Sequence, residues 1–91
     1  MILNVKYLAP YSFALGKKNS SFTIPDKDSI SVWELLEHIA RNEPRFTKVA
    51  ILERESVLNK LTVLVEGVAC NLDANVMDGA NIVVMSPICG G

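Results

Sequence analysis

The chain has 91 residues, enough for one small core and little else. Hydrophobic residues make up 49% and charged residues 21%, a balance that favours folding over disorder. Nine basic against ten acidic residues leave a formal charge of −1, with no electropositive footprint for nucleic acid.

No stretch approaches the ~20 apolar residues of a membrane span. The start, Met1-Ile2-Leu3-Asn4-Val5-Lys6, lacks the basic region and long apolar core of a signal peptide, so a cytoplasmic location is expected. Cys70 and Cys89 are the two cysteines, too few for an iron–sulfur cluster. With one histidine they also leave structural zinc a ligand short, so no metal is expected. In a reducing cytosol both are free thiols.

Residues 2–8 alternate, with Leu3, Val5 and Tyr7 on one face and Asn4 and Lys6 on the other, predicting a half-buried strand. Leu8 falls on the outward face, where it is either incidental or a contact. Residues 10–21 carry turn chemistry at Gly16-Lys17-Lys18-Asn19, and residues 21–24 read as a second strand with Phe22 and Ile24 inward. The two strands suggest a hairpin.

A polar break at Pro25-Asp26-Lys27-Asp28-Ser29 precedes Ser31-Val32-Trp33-Glu34, a capping box at a helix start. Ile30 and Leu35 stand as a hydrophobic staple. Val32, Leu35, Leu36, Ile39 and Ala40 form one apolar stripe, and Pro44 ends the helix at Glu43. His38, off the stripe beside Glu34 and Glu37, reads as a surface histidine, and Trp33 as core edge.

Residues 45–60 fit no template. Val49-Ala50-Ile51-Leu52 suits a helical turn or an extended segment equally, and Arg54 between Glu53 and Glu55 reads as a solvated charge cluster. Residues 61–66 predict a strand with Leu61, Val63 and Val65 on one face. Gly67 then turns into Val68-Ala69-Cys70, a short edge piece with Cys70 as a small buried hydrophobe. Residues 72–79 read as a loop closing on Asp78-Gly79. The last strand, residues 81–85, puts Ile82 and Val84 inward and Val83 and Met85 outward. The order predicts an α+β sheet with one helix on one face, a single domain over residues 1–91.

After that strand come Ser86-Pro87-Ile88-Cys89-Gly90-Gly91. Two glycines without side chains make a thin tether able to pass a channel too narrow for a Cβ and present one carboxylate. Met77-Asp78-Gly79-Ala80-Asn81-Ile82 and Pro87-Ile88-Cys89-Gly90-Gly91 resemble the ubiquitin-like sulfur-carrier family (MoaD/ThiS-like), most of all its molybdopterin-synthase small-subunit branch, MoaD. That family's pattern is Leu-x-Asp-Gly-Asp-Glu-Val, then Pro-Pro-Val-Ala-Gly-Gly. Here Ala80 and Asn81 replace an acidic pair, Ser86 the first proline, Glu66-Gly67 an Asn-Gly, and Cys89 a small inert residue.

The resemblance implies a β-grasp (ubiquitin-like) fold: a mixed sheet, one main helix packed on one face, and a flexible Gly-Gly tail, with residues 87–91 as the functional segment. It implies that an E1-like adenylyltransferase (MoeB/ThiF type) adenylates Gly91 with ATP and magnesium, and that a persulfide sulfur donor converts the adenylate to a thiocarboxylate. The large subunit of molybdopterin synthase (MoaE type) is then the partner, and this chain binds no cofactor itself. Gly91 and Gly90 are the expected reacting end, because an ionised carboxylate of pKa ~3.5 needs a leaving group before it accepts sulfur. Leu8, Val83 and Met85, with Pro87, Ile88 and Cys89, are the expected partner-binding residues, although an ordinary half-exposed sheet accounts equally for the first three.

Attack by Cys89 on the Gly91 carbonyl is disfavoured, since the ring would hold two peptide groups that prefer trans. No nucleophile, base and orienting group converge, so an independent catalyst ranks last. Thiazole synthesis, tRNA thiolation, conjugation to protein lysines, and a β-grasp interaction module with incidental glycines stand as the other readings.

Overall fold

In a computed structural model, which describes residues 1–87, the alternation at the start of the chain becomes β1, Ile2–Tyr7. Leu3, Val5 and Tyr7 are buried, while Ile2, Asn4 and Lys6 face outward. The expected hairpin partner is β2, Asn19–Thr23, antiparallel to β1 with Leu3 opposite Phe22. A one-turn helix, α1, Tyr11–Leu15, interrupts the connection. Five residues are too few to show a period, yet Tyr11 and Leu15 lie four apart and both are buried.

A three-residue strand, β3, Ser29–Ser31, leads into α2, Val32–Asn42. The capping box is present as read: Ser31 Oγ accepts from Glu34 N and Glu34 Oε1 accepts from Ser31 N, both at 3.1 Å. Val32, Leu35, Leu36 and Ile39 are buried and Ala40 packs at the margin. Glu43 leaves helical geometry at φ −128° and ψ 82°, as the residue before a proline should.

The unreadable stretch contains a 3-10 helix, Pro44–Lys48, and a single turn, α3, Val57–Lys60. Val49 through Leu52 are neither helix nor strand. The segment folds because Phe46, Ala50 and Val57 are buried in the common core, not because its local pattern is strong. β4, Thr62–Val65, turns at Glu66-Gly67 into β5, Val68–Ala69. Both turn residues have positive φ, +50° and +80°, the geometry of a type I′ hairpin that favours Asn-Gly.

Glu66 offsets the cost of that φ: its Oε1 accepts from Asn81 N at 2.8 Å, and its own N donates to Asn81 O at 2.9 Å. Two departures from the family pattern, at 66 and 81, therefore sit against each other.

The expected loop over residues 72–79 is corrected: it contains β6, Asn75–Met77, which pairs antiparallel with β3. Each of these strands has a single inward apolar residue, Ile30 and Val76, too little for a period-two signal. Asp78-Gly79 closes the loop as read, with Asp78 Oδ1 accepting from Ile2 N at 2.6 Å and Gly79 at φ +81°. β7, Asn81–Met85, then runs up the centre of the sheet.

The order is β2-β1-β7-β4-β5, with β1 and β7 parallel and the other neighbours antiparallel. A mixed sheet with α2 over its buried face is the β-grasp arrangement expected, enlarged by two short helices, a 3-10 turn and the β3–β6 pair.

Three side chains differ from their sequence reading. Arg54 is not merely solvated: its guanidinium lies 5.2 Å from the Trp33 ring centroid and pairs with Asp73 at 3.0 Å. Cys70 is half-buried, with Sγ 3.2 Å from Val68 O, because β5 is too short to cover it. His38 is half-buried too, edge-on to Phe22 at 5.2 Å; burial, then Arg41, holds its pKa below the ordinary value.

Candidate functional site

β7 carries the tail, so the surroundings of its C-terminal end define the site. Because β7 runs parallel to β1 and antiparallel to β4, that end lies between the last residues of β1 and the first of β4. On one side Leu8 N donates to Val84 O at 3.0 Å and Ser86 Oγ to Ala9 O at 3.5 Å. On the other side Thr62 stands opposite Met85. Tyr11 ties the two sides together, its hydroxyl donating to Lys60 O at 2.9 Å. Ser86 and Pro87 are half-buried, so the base of the tail lies against the body.

The sheet face away from α2 supplies the adjoining surface. Residues directly opposite share a face, which places Lys6, Val83, Leu64 and Ala69 in one row across four strands. Met85 and Thr62 lie in the next row toward the tail. A shallow depression on this face spans β2, β1 and β7, with Asn4, Lys6, Asn19, Ser21, Asn81 and Val83 among its lining residues.

Val83 and Met85 are half-buried, and Leu8, 38% exposed, lies just beyond β1 rather than within it. The backbone thus gathers Leu8, Val83, Met85 and Pro87 at one end of the molecule. Ile88, Cys89, Gly90 and Gly91 lie outside the described residues. Leu64 escaped the sequence reading although it is the apolar residue on the outward phase of β4. Phe13, in the segment read as a turn, escaped it as well.

Beneath this end Lys17 Nζ pairs with Glu43 Oε1 at 2.7 Å, and Ser20 Oγ donates to the same oxygen at 3.3 Å. Burial pushes the nearby Tyr7 hydroxyl up to about 12, with the Glu43 charge adding to the rise and Ser20 opposing it. Burial also raises Tyr11 above its ordinary value. Both protons are held more tightly in the folded state, so their stabilisation is complete below pH ~10 and is lost as pH rises through the raised values, about 12 for Tyr7. Urea unfolding at a series of pH values should show a flat midpoint from pH 8 to 9.5 and a steep fall above 10. Replacing Tyr7 by phenylalanine should flatten that fall.

A mixed sheet with β7 at its centre and α2 over one face is the β-grasp body of ubiquitin-like proteins. The chain belongs to the ThiS family, whose model matches residues 5–91 and so reaches Gly91 itself. No curated protein matches the chain by sequence.

Among solved structures it is similar to the small archaeal modifier protein SAMP1 of Haloferax volcanii, at a TM-score of 0.80 and 17% identity, with 100% of each chain covered. A Pyrococcus furiosus protein described as molybdopterin converting factor subunit 1 superposes at 0.76, with 20% identity over 97% of this chain and 99% of the other. The complex of subunits 1 and 2 of the Helicobacter pylori molybdopterin-converting factor matches at 0.60 and 17% identity, covering 100% of each chain. At such identities these likenesses define the fold. No helix among the described residues is long and apolar enough to cross a membrane.

Proposed function

We propose that this protein carries sulfur on the Gly91 carboxylate as the small, MoaD-type subunit of a molybdopterin synthase, within the cytoplasm. The observation that carries the reading is the family match running to Gly91 along a β-grasp body. The likeness to the molybdopterin-converting subunits is compatible with this branch.

The ionised carboxylate attacks the α-phosphorus of ATP, held with magnesium on an E1-like enzyme of the MoeB/ThiF type, and pyrophosphate leaves. The terminal sulfur of a persulfide donor attacks the acyl adenylate, and AMP leaves. A thiol then cleaves the resulting S–S bond, giving the thiocarboxylate and a disulfide. The large subunit, of MoaE type, receives the tail and consumes that sulfur. Gly90 and Gly91 fit a narrow channel, and the body supplies the docking surface.

Holding four backbone residues in one conformation costs about 4–8 kcal/mol at roughly 1–2 kcal/mol each. At about 25 cal/mol per Å², burial of some 160–320 Å² of apolar surface offsets that. Leu8, Leu64, Val83 and Met85 are the residues placed to provide it, with Pro87, Ile88 and Cys89 gripped along the way.

A second reading has its own support in the likeness to SAMP1, a protein named as a modifier: Gly91 joined by isopeptide bonds to lysines of other proteins. Intact mass of the protein from its own cells separates the two. Replacement of one oxygen by sulfur at Gly91 is the expected result; lysine-linked adducts would establish the modifier. An unchanged mass after incubation with the cognate activating enzyme, ATP and a sulfur donor would defeat both.

A further inference from the structure

Phe13 is 82% exposed, the largest exposure among the large hydrophobic side chains of the described residues. Its backbone is clamped. Tyr11 and Leu15 anchor α1 in the core, and Tyr11 N and Ser12 N both donate to Leu8 O. At the other end Gly16, left-handed at φ +67°, donates to Phe13 O while Lys17 N donates to Ser12 O. These paired bonds close the helix as a Schellman motif. Phe13 is two residues from each anchor, so it projects from the opposite side of the turn. A rigid backbone therefore holds an aromatic ring out in water.

A single exposed apolar residue is ordinary, and position distinguishes this one. Ala9, two residues before α1 begins, accepts from Ser86 Oγ at the base of the tail. Gly91 lies four residues beyond Pro87, a reach of at most about 14 Å. An active site that closes on the Gly91 carboxylate must stand within that distance of Pro87, and α1 begins beside the tail base, since Tyr11 N and Ser12 N bond to Leu8 O while Leu8 N bonds to Val84 O.

We infer that Phe13 is a docking anchor received by an apolar pocket on the enzyme that activates the Gly91 carboxylate. The inference rests on the carrier reading above. Aromatic side chains on preorganised backbone are the side chains that most often carry binding energy at such contacts. The outward sheet residues add area, whereas Phe13 supplies discrimination, because only a partner with a matching pocket buries it.

The test is ATP–pyrophosphate exchange by the cognate activating enzyme, with carrier concentration varied for wild type, Phe13→Ala, Phe13→Asp and Phe13→Leu. Met77→Asp serves as control: Met77 is also exposed, at 57%, but Gly79 N bonds to Ile2 O, which places that loop at the opposite end of β1. The expected result is a KM raised roughly tenfold to thirtyfold for alanine and aspartate. Turnover should hold within about twofold and leucine should restore most of the loss.

An unchanged KM for Phe13→Asp would overturn the inference and leave the carrier reading intact. So would an equal rise for Met77→Asp, or normal activation with a defect confined to a later sulfur acceptor. Absence of exchange with the wild-type protein would instead overturn the carrier reading, and with it the partner assigned to Phe13.

Discussion

Replacing Gly91 by tryptophan should lower adenylation by roughly 100-fold or more while leaving the unfolding midpoint unchanged. The size of the loss follows from geometry at the reacting atom. The α-phosphorus of ATP must be met in line by one carboxylate oxygen, and a displacement of ~1 Å costs on the order of 100-fold in rate. On the proposed carrier reading, a Cβ and an indole ring at Gly91 displace the carboxylate further than that. The unchanged midpoint follows from where the core lies, since among the described residues the buried ones run from Leu3 to Val84.

Turnover should therefore collapse while the variant still competes with wild type for the enzyme, because the docking surface is untouched. Normal exchange would mean that Gly91 is not the activated residue. Loss of competition as well would mean that the last residue, and not the body, supplies most of the binding.

The elements that position this site differ in how much of them the sequence reveals. β1, α2 and β7 are long enough for a period to show, and Leu3-Val5-Tyr7, the stripe from Val32 to Ile39, and Ile82-Val84 all turn inward as read. The Ser31–Glu34 capping box needs no tertiary context, because both partners lie within one turn.

β3 and β6 escape because each has one inward apolar residue and depends on the other for its hydrogen bonds. Arg54 misleads for a similar reason. Its neighbours in sequence are acidic, yet its guanidinium finds Trp33 and Asp73, which only the fold brings near. At the tail base, Val83 and Met85 are legible from strand phase, whereas Leu8 lies one residue past the end of β1. α1 was not legible, although Leu15-Gly16-Lys17 carries the helix-stop chemistry that could have marked it. Phe13 was missed with it, since an exposed phenylalanine looks like any core residue until its helix is placed.

Phe46→Ala should cost about 3–5 kcal/mol, the range for removing a fully buried phenylalanine. A domain of this size has roughly 5–15 kcal/mol in all, so the variant should be marginal. Its thermal midpoint should fall by on the order of 20 °C. Phe46 is 0% exposed, and its ring centroid lies 5.7 Å from that of Tyr11. Its carbonyl accepts from both Val49 N and Ala50 N, so the turn that carries the ring is itself closed around it.

The loss should reach the site through Tyr11. Without its ring partner, the hydroxyl bond to Lys60 O is less well held, and α1 should open before the central strands do. Hydrogen exchange on the variant should therefore speed up at Ala14, Gly16 and Lys17 more than at Val63 or Val84. Phe46→Leu, which keeps most of the volume, should recover most of the stability. A cost below about 1 kcal/mol for alanine, or exchange that accelerates evenly across the sheet, would show that residues 44–61 cover the core without bracing α1. The stretch with the weakest local pattern would then be a cap and not a support for the end of the molecule that presents the tail.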